Sequence, residues 1–465
     1  MYIIIESIFL HVLAVAIFGL GVLFVFRILR AEKASSNTVA WLLAIALIPY
    51  IAVPLYIVFG GRKIRRKIKK KEALDKIAPE LLDRGEINNR ALPSGINGLF
   101  PKRSGNSVSI LATGEQTFRE LKKHIESARQ SIYITTFILG KDATGQLILE
   151  MLAQKAKQGV RVCLLIDSLG SFRISGRFLS EFKQAGGRYA FFMPMIHWPF
   201  SGRANLRNHR KMVIIDNKTA IIGGTNLAKE YMGATADSAR WHDLSVLVAG
   251  PIVDDIYAIF RADWKFAAKE GLPIAKQKDA GPDDAGRDIN IQLVPSGPDV
   301  KEDSLYDTVL ASIFNARKRI WVVTPYFVPD EMLTKALCIA AKRKLDVRII
   351  VPLVSNHRVA DLARRGYLRQ IHNAGGKIYS FKPGMLHGKL IIVDDTLGII
   401  GSMNMDARSF FLNYEVAVFI YSEPVVKHLE SWSTDIMSKC GIGVKKPSAL
   451  GEFIEGIVRL FAPLL

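Results

Sequence analysis

Two short segments carry the reactive side chains of this chain. The first is Asn208-His209-Arg210-Lys211-Met212-Val213-Ile214-Ile215-Asp216, with Gly223-Gly224-Thr225-Asn226 shortly after it. The second is Leu386-His387-Gly388-Lys389-Leu390-Ile391-Ile392-Val393-Asp394, with Gly401-Ser402-Met403-Asn404 after it. Both fit H-x-K-x4-D, and both place an asparagine 17 residues past the histidine (226 − 209 and 404 − 387). The copies stand 178 residues apart, counted from His to His or from Asn to Asn (387 − 209 and 404 − 226). One match to so loose a pattern has little weight. A second match in step with the first marks a duplicated half-site.

Each motif leads into a short run of β formers, where residues i and i+2 face the same side, so imidazole and ammonium project together. Two histidines, two lysines and two asparagines meeting across a pseudo-twofold supply two groups for proton transfer or nucleophilic attack and four donors for oxyanions. That set suits opening a phosphodiester: one imidazole attacks phosphorus, the other protonates the leaving alcohol, and Lys211, Lys389, Asn226 and Asn404 stabilise the oxygens. A catalytic imidazole also needs a partner that fixes its tautomer. Asp243 and Glu415 lie 34 and 28 residues past their histidines (243 − 209 and 415 − 387), each opening an apolar run. The expectation is that Asp243 orients His209 and Glu415 orients His387. Asp216 and Asp394, at the ends of their strands, are expected to bond local backbone.

Zinc is the competing reading of two His and two Asp. A lysine beside each supposed ligand argues against it, as does the lack of a recurring third His or Cys. Cys163, Cys338 and Cys440 are scattered, as for reduced packing residues. No metal or other cofactor is expected.

The elements that position the motifs are also doubled. Ala128-Arg129-Gln130-Ser131-Ile132 resembles Ala316-Arg317-Lys318-Arg319-Ile320, each ending a helix such as the one marked by Phe118, Leu121 and Ile125. A helix ending at Lys157 leads into Val160-Arg161-Val162, and its counterpart ends at Lys344 and leads into Val347-Arg348-Ile349. Gln184-Ala185-Gly186-Gly187 and Asn373-Ala374-Gly375-Gly376 read as helix C-caps. Strands alternating with helices predict an α/β fold of two duplicated sandwich domains, residues 106–285 and 286–465, with the boundary in the Pro/Gly/Asp-rich stretch from Gly271 to Asp288.

At 465 residues with 49% hydrophobic content and a mean hydropathy of +0.18, the chain is apolar for a purely soluble protein. Two apolar runs, up to Phe26 and from Val39 to Phe59, are separated by a short polar turn. Each is long enough for a hydrocarbon core of about 30 Å, so residues 1–60 read as a transmembrane helical hairpin. Residues 61–105 read as a juxtamembrane segment and linker, opening with eight basic residues in ten, Arg62 to Lys71. The positive-inside rule puts that collar, and everything after it, in the cytoplasm. The formal charge of +20 calls for an anionic partner, and the position of the collar favours lipid headgroups over nucleic acid. Near the C-terminus, Phe453, Ile457, Leu460, Phe461 and Leu464 form an apolar stripe, with Glu452, Glu455 and Arg459 elsewhere, as for a helix lying on a membrane or packed on the second domain.

With these motifs the chain resembles the phospholipase D superfamily, and within it the bacterial cardiolipin synthases. The superfamily pattern falls on His209, Lys211, Asp216, Gly224 and Asn226, and on His387, Lys389, Asp394, Gly401 and Asn404. Closer to the synthases are Ser296-Gly297-Pro298-Asp299, Thr324-Pro325-Tyr326-Phe327-Val328-Pro329 and the segment from Asn404 to Glu415. Departures are Ser402, Lys344 and Ser355-Asn356. The resemblance implies a metal-free phosphatidyl transfer in which a histidine, His209 by the same likeness, attacks phosphatidylglycerol. A second phosphatidylglycerol then takes the phosphatidyl group, giving cardiolipin. It implies anionic phospholipid partners and the bacterial inner membrane as location, with a phospholipase D-type hydrolase as the alternative.

Overall fold

The computed structural model describes residues 100–193, 206–274, 288–300 and 302–460, with Gly19, Ala44 and Ile45 besides. The expected hairpin, its basic collar and most of the stretch from Gly271 to Asp288 lie outside these residues. Among the described residues no helix is long and apolar enough to cross a membrane.

Runs of β-branched and aromatic residues form the strands. In the first half these are β1 (Lys102–Leu111), β2 (Ser131–Thr136), β3 (Arg161–Asp167), β4 (Arg188–Phe192), β5 (Met212–Ile215), β6 (Thr219–Gly223) and β7 (Ser245–Ala249). In the second they are β8 (Ile289–Ser296), β9 (Arg319–Val323), β10 (Phe327–Val328), β11 (Asp346–Pro352), β12 (Lys377–Phe381), β13 (Leu390–Val393), β14 (Leu397–Gly401), β15 (Met405–Asp406), β16 (Glu415–Tyr421) and β17 (Cys440–Ile442). All but β10 and β15 join one 15-stranded sheet, ordered β4-β3-β2-β5-β6-β7-β1-β8-β16-β14-β13-β9-β11-β12-β17. Apart from the added edge strand β17, the order reads the same outward from the β1–β8 seam. The predicted duplication is therefore a pseudo-twofold through that seam, where Lys102 pairs with Gln292 and Arg103 with Ile291.

Helices cover both faces, which is why the strands are apolar on both sides. On one face α1 (Gly114–Ser127), α2 (Ala143–Lys157) and α3 (Ser180–Gln184) cover the first half of the sheet. On the other face α4 (Ile252–Ala268) packs under Tyr133, Ile214 and Val246. In the second half α5 (Ser304–Asn315), α6 (Glu331–Lys342) and α7 (Arg358–Asn373) match α1 to α3. After the short α8 (Ala407–Phe411) comes α9 (Glu423–Ser438), the counterpart of α4. The predicted α1 stripe of Phe118, Leu121 and Ile125 is buried, and Thr113 caps the helix by accepting from the Gln116 amide at 3.1 Å. The cores under α4 and α9 are continuous, joining Ile214 and Val246 to Ile392, Ile400 and Val418 in one cluster. With each fully buried aliphatic side chain contributing about 1.5–3 kcal/mol, neither half keeps its inner core without the other. The described residues from 100 onward thus form one compact unit and not two separable domains.

Three sequence expectations shift. β1 begins at Lys102, inside the stretch read as linker, and Arg103 anchors it with two hydrogen bonds to buried Asp255 at 2.9 and 3.0 Å. The second-half helix ends at Lys342, not Lys344. Strand pairing sets Ser131 level with Arg161 and Arg319 level with Asp346, so Arg161 corresponds to Asp346 and not to Arg348. The reason is the left-handed residue that turns each chain out of its helix: Gly159 at φ 84° in the first half, Lys344 at φ 64° in the second. A lysine there hides the glycine signal that would have aligned the repeats.

Asp216 and Asp394 do bond backbone, but backbone distant in sequence. The Asp216 carboxylate accepts from the amides of Arg129, Gln130 and Ser131 at 2.9, 2.7 and 2.7 Å. Asp394 accepts from Arg317, Lys318 and Arg319 at 3.1, 2.7 and 3.1 Å. Their donors are the amides of the repeated Ala-Arg segments, so each motif aspartate fastens the start of the neighbouring strand. Counted with the motif as catalytic, both are placed by these bonds in a structural role. Asp216→Ala is expected to lower unfolding free energy by about 2–3 kcal/mol, since three amides lose a charged acceptor, while turnover per folded molecule is kept. Denaturant titration alongside activity checks this; unchanged stability with lost turnover would return Asp216 to the catalytic set.

Candidate active site

Each histidine stands just before a central strand, His209 before β5 and His387 before β13, and each is held there by the other half. Asn208 and Tyr414 form a parallel bridge, the His209 amide donating to the Tyr414 carbonyl at 2.9 Å. Leu386 and His242 form the matching bridge, with the His387 amide donating to the His242 carbonyl at 2.7 Å. Tyr414 and His242 immediately precede Glu415 and Asp243. The backbone therefore delivers each acid to the histidine of the opposite half.

The side chains complete that exchange. His209 Nδ1 donates to Glu415, with Oε1 at 2.9 Å and Oε2 at 3.0 Å, and lies 3.1 Å from the Ser402 carbonyl. His387 Nδ1 donates to Asp243 Oδ2 at 2.6 Å. The expectation that Asp243 orients His209 and Glu415 orients His387 is corrected: the pairs are crossed. Sequence proximity favoured the acid downstream in the same half, whereas the seam β7-β1-β8-β16 sets the strand behind each acid one strand away from the other half. Because a carboxylate lies 2.6 Å from Nδ1 of His387 and 2.9 Å from that of His209, Nδ1 carries the proton on each ring and Nε2 is left as the reactive nitrogen. Ser402, a departure from the family pattern, donates its hydroxyl to Glu415 at 2.5 Å and so helps hold that carboxylate.

The lysines share a face with their histidines as the alternation requires. Lys211 Nζ donates to the His209 carbonyl at 2.7 Å. Lys389 Nζ donates to the His387 carbonyl at 2.5 Å and lies over the ring, 2.8 Å from Nδ1 and 3.1 Å from Nε2. Asn226 accepts from the Ile138 amide at 3.1 Å, while the buried Oδ1 of Asn404 has no hydrogen-bond partner among the described residues. Among those residues no three His, Cys, Asp or Glu side chains converge as metal ligands.

Sequence reasoning missed the supports. Arg210 inside the first motif is fully buried and donates to both carboxylate oxygens of Asp263 on α4, at 2.8 and 2.9 Å, and to the Glu415 and Ser296 carbonyls at 3.1 and 3.0 Å. Asn208 joins the same carboxylate at 2.9 Å. The second motif has Gly388 at that position, where an added Cβ would meet the Trp432 ring of α9 at 2.8 Å. Aromatic walls were missed as well: Phe137 sits edge-on to His209 at 4.9 Å, and Tyr231 and Trp241 face His387 at 5.0 and 5.3 Å. An arginine between two motif residues was the one visible hint of the ion pair; the aromatic residues come from loops with no repeat signature.

Enclosure sets the charge states. Burial, reinforced by Lys389, drives the His387 imidazole down to about 3. Burial also lowers His209 and takes Lys211 well below the usual lysine range. Burial brings Lys389 down to about 8 although Asp243 and Glu415 pull the other way. For Asp243 and Glu415, burial would raise the carboxyls, but the paired imidazole and nearby lysines hold both below the ordinary range. Each half feels the other, since Lys389 acts on His209 and Lys211 on His387. Both imidazoles are thus neutral at neutral pH, one a ready nucleophile, and a bound phosphodiester anion supplies the charge that lets the other take a proton.

Two half-sites that each lend a His-Lys pair and an Asn to one enclosed centre, on a sheet doubled about its middle, define a phospholipase D-like phosphatidyltransferase. The family described as cardiolipin synthase, PLD-like domain, matches residues 121–264 and 309–436, once in each half. A second, described as phospholipase D-nuclease N-terminal, matches residues 19–61. The chain is 34% identical to cardiolipin synthase 1 of Bacillus cereus, over 95% of this chain and 91% of that one. It is 33% identical to a cardiolipin synthase of Clostridium perfringens, over 92% of this chain and 94% of that one. Among solved structures it is similar in fold to a phosphatidylserine synthase of Haemophilus influenzae, with a TM-score of 0.57 and 16% identity over 84% of this chain and 98% of that one. The chain belongs to the cardiolipin synthase family.

Two outcomes are expected. Glu415→Gln should slow transfer by roughly 10²–10⁴-fold and change the rate at which diethylpyrocarbonate modifies His209, leaving His387 as it was; Asp243→Asn should do the reverse. Peptide mass spectrometry reads each site separately, and the opposite pattern would restore pairing within halves. The pH profile of kcat/KM should fall as pH rises through about 8, where Lys389 loses its proton and with it an oxyanion partner. Lys389→Arg should abolish that descending limb. A wild-type profile flat to well above 8 would remove Lys389 from this role.

Proposed function

We propose that the site transfers a phosphatidyl group from one phosphatidylglycerol to another in two displacements. His209 Nε2 attacks phosphorus, the bond to the glycerol headgroup breaks, and His387 gives that oxygen its proton, releasing glycerol. A glycerol hydroxyl of the second lipid then passes its proton to His387 and attacks phosphorus. The phosphorus–nitrogen bond breaks, cardiolipin leaves and His209 is regenerated. The crossed Glu415–His209 and Asp243–His387 pairs carry this reading, because they hold both imidazoles in the tautomer it requires. His209 is the better nucleophile by access, its side chain 12% exposed against 4% for His387.

Lys211, Lys389, Asn226 and Asn404 stabilise the charge that grows on the phosphoryl oxygens. The orphaned Oδ1 of Asn404 fits a side chain whose partner arrives with substrate. Aromatic walls around both imidazoles limit water as a competing acceptor. Residues 1–60 anchor the enzyme as a two-helix hairpin, supported by their apolar runs and by the N-terminal family match over 19–61. The basic collar supports a cytoplasmic position for the catalytic halves at the bacterial inner membrane.

Purified protein given phosphatidylglycerol labelled in the headgroup should release labelled glycerol and yield cardiolipin in equal amounts. Phosphatidic acid as the main product would make it a hydrolase. With donor labelled in the phosphate, enzyme denatured in dodecyl sulfate at neutral pH should retain phosphatidyl label in His387→Ala but not in His209→Ala; the inverse would exchange the two roles.

A further inference from the structure

We propose that α10 (Ala449–Leu460) and the loop leading into α7 form a docking face for an anionic lipid surface, aligning the mouth of the site with the bilayer. The inference rests on the reading of the substrate as a membrane lipid, and adds where on the catalytic halves that membrane is met.

The orientation of α10 carries it. Glu455, 5% exposed, faces inward, paired with Arg369 at 2.5 Å and Arg365 at 3.6 Å on α7. Val458 packs beside it against the cluster of Val328 with Ala360 and Ala363 of α7. An amphipathic helix ordinarily buries its apolar stripe and leaves charge outside. Here the ion pair is the inner contact, and the stripe at i, i+3, i+4 and i+7 points out: Leu450 and Phe453 are 69% and 65% exposed, Ile454 and Ile457 42% each. Of the apolar stripe read from sequence, Phe453 and Ile457 are thus outward-facing.

The order of contacts shows where this stripe leads. Glu455 meets Arg369 late in α7 and Val458 packs on the cluster that holds Ala360 and Ala363 from its first half, so α10 runs antiparallel to α7 toward that helix's N-terminal end. Leu353, Val354 and Val359 are exposed there. Between them His357 stands edge-on to Tyr326 at 5.5 Å, and Tyr326 leads into β10, whose Phe327 pairs with Met405, the residue after Asn404. The apolar face therefore extends along α10 to the rim of the catalytic centre. Lys445 and Lys446, exposed just ahead of α10, and Arg358, exposed at the start of α7, border it with positive charge; Glu452 is the exposed acid on the helix itself. Apolar residues for the acyl boundary, flanked by cations for headgroups, fit an anionic membrane surface better than a protein partner.

The test uses the full chain in vesicles of phosphatidylserine and phosphatidylcholine, which needs no turnover. Benzoylphenylalanine introduced at Phe453 should cross-link to lipid on illumination, and at the exposed Asp237 it should not. Adducts to a second copy or to the chain's own N-terminal residues, or equal lipid labelling at both positions, would overturn the docking face. With phosphatidylglycerol as donor, Phe453→Glu with Ile457→Glu should raise KM about ten-fold in vesicles and leave kcat in detergent micelles within about two-fold. An unchanged vesicle KM would also overturn it. If wild type instead gave no transfer product while position 453 still labelled lipid, the reading of the reaction would fall and the docking face would stand.

Discussion

The structure depends on two carboxylate–imidazole pairs exchanged between its halves. Glu415 serves His209 and Asp243 serves His387, each carboxylate buried and each pair spanning the pseudo-twofold. A buried carboxylate left without its partner costs several kcal/mol, so the pairs bind the halves together as firmly as they prepare the chemistry. The parallel bridges Asn208–Tyr414 and Leu386–His242 are the backbone form of the same constraint. Neither half contains an oriented histidine by itself, which explains why the sheet is continuous across β1 and β8 and why one core runs under both.

The two half-sites are equivalent in topology and unequal in chemistry. In the first, Arg210 and Asp263 form a buried ion pair that also grips the Glu415 and Ser296 carbonyls, tying the His209 segment to α4 and to the second half. In the second, Gly388 lets the backbone lie against Trp432, and the imidazole is fixed instead by Asp243, Lys389 and aromatic walls. His387 is the more deeply enclosed, and burial lowers the basicity of both imidazoles. A duplicated site thus offers two imidazoles of unequal access.

Charge at the surface follows a different logic. Glu455 is drawn inward by Arg369 and Arg365, and that contact turns an apolar stripe outward. Such a stripe gains nothing in water, and its place beside the rim of the site suits a lipid surface.

Much was settled by the chain read as a string. Periodic repetition of His-Lys, of the Ala-Arg segments and of the Gly-Gly caps determined that the protein is a doubled α/β fold with one composite phosphodiester site, because each repeat carries its own local pattern. His209, Lys211, Asn226, His387, Lys389 and Asn404 were all legible in that way. What the tertiary structure decided is which acid meets which histidine, since partners 206 and 144 residues apart are joined only by the order of strands across the seam. It also decided that Asp216 and Asp394 fasten backbone, that Arg210 is locked to Asp263, and that Lys344 takes the turn a glycine takes in the first half. These are contacts between segments with no shared periodicity, and the physics that selects them, burial of charge against its partner, acts only once the sheet has closed.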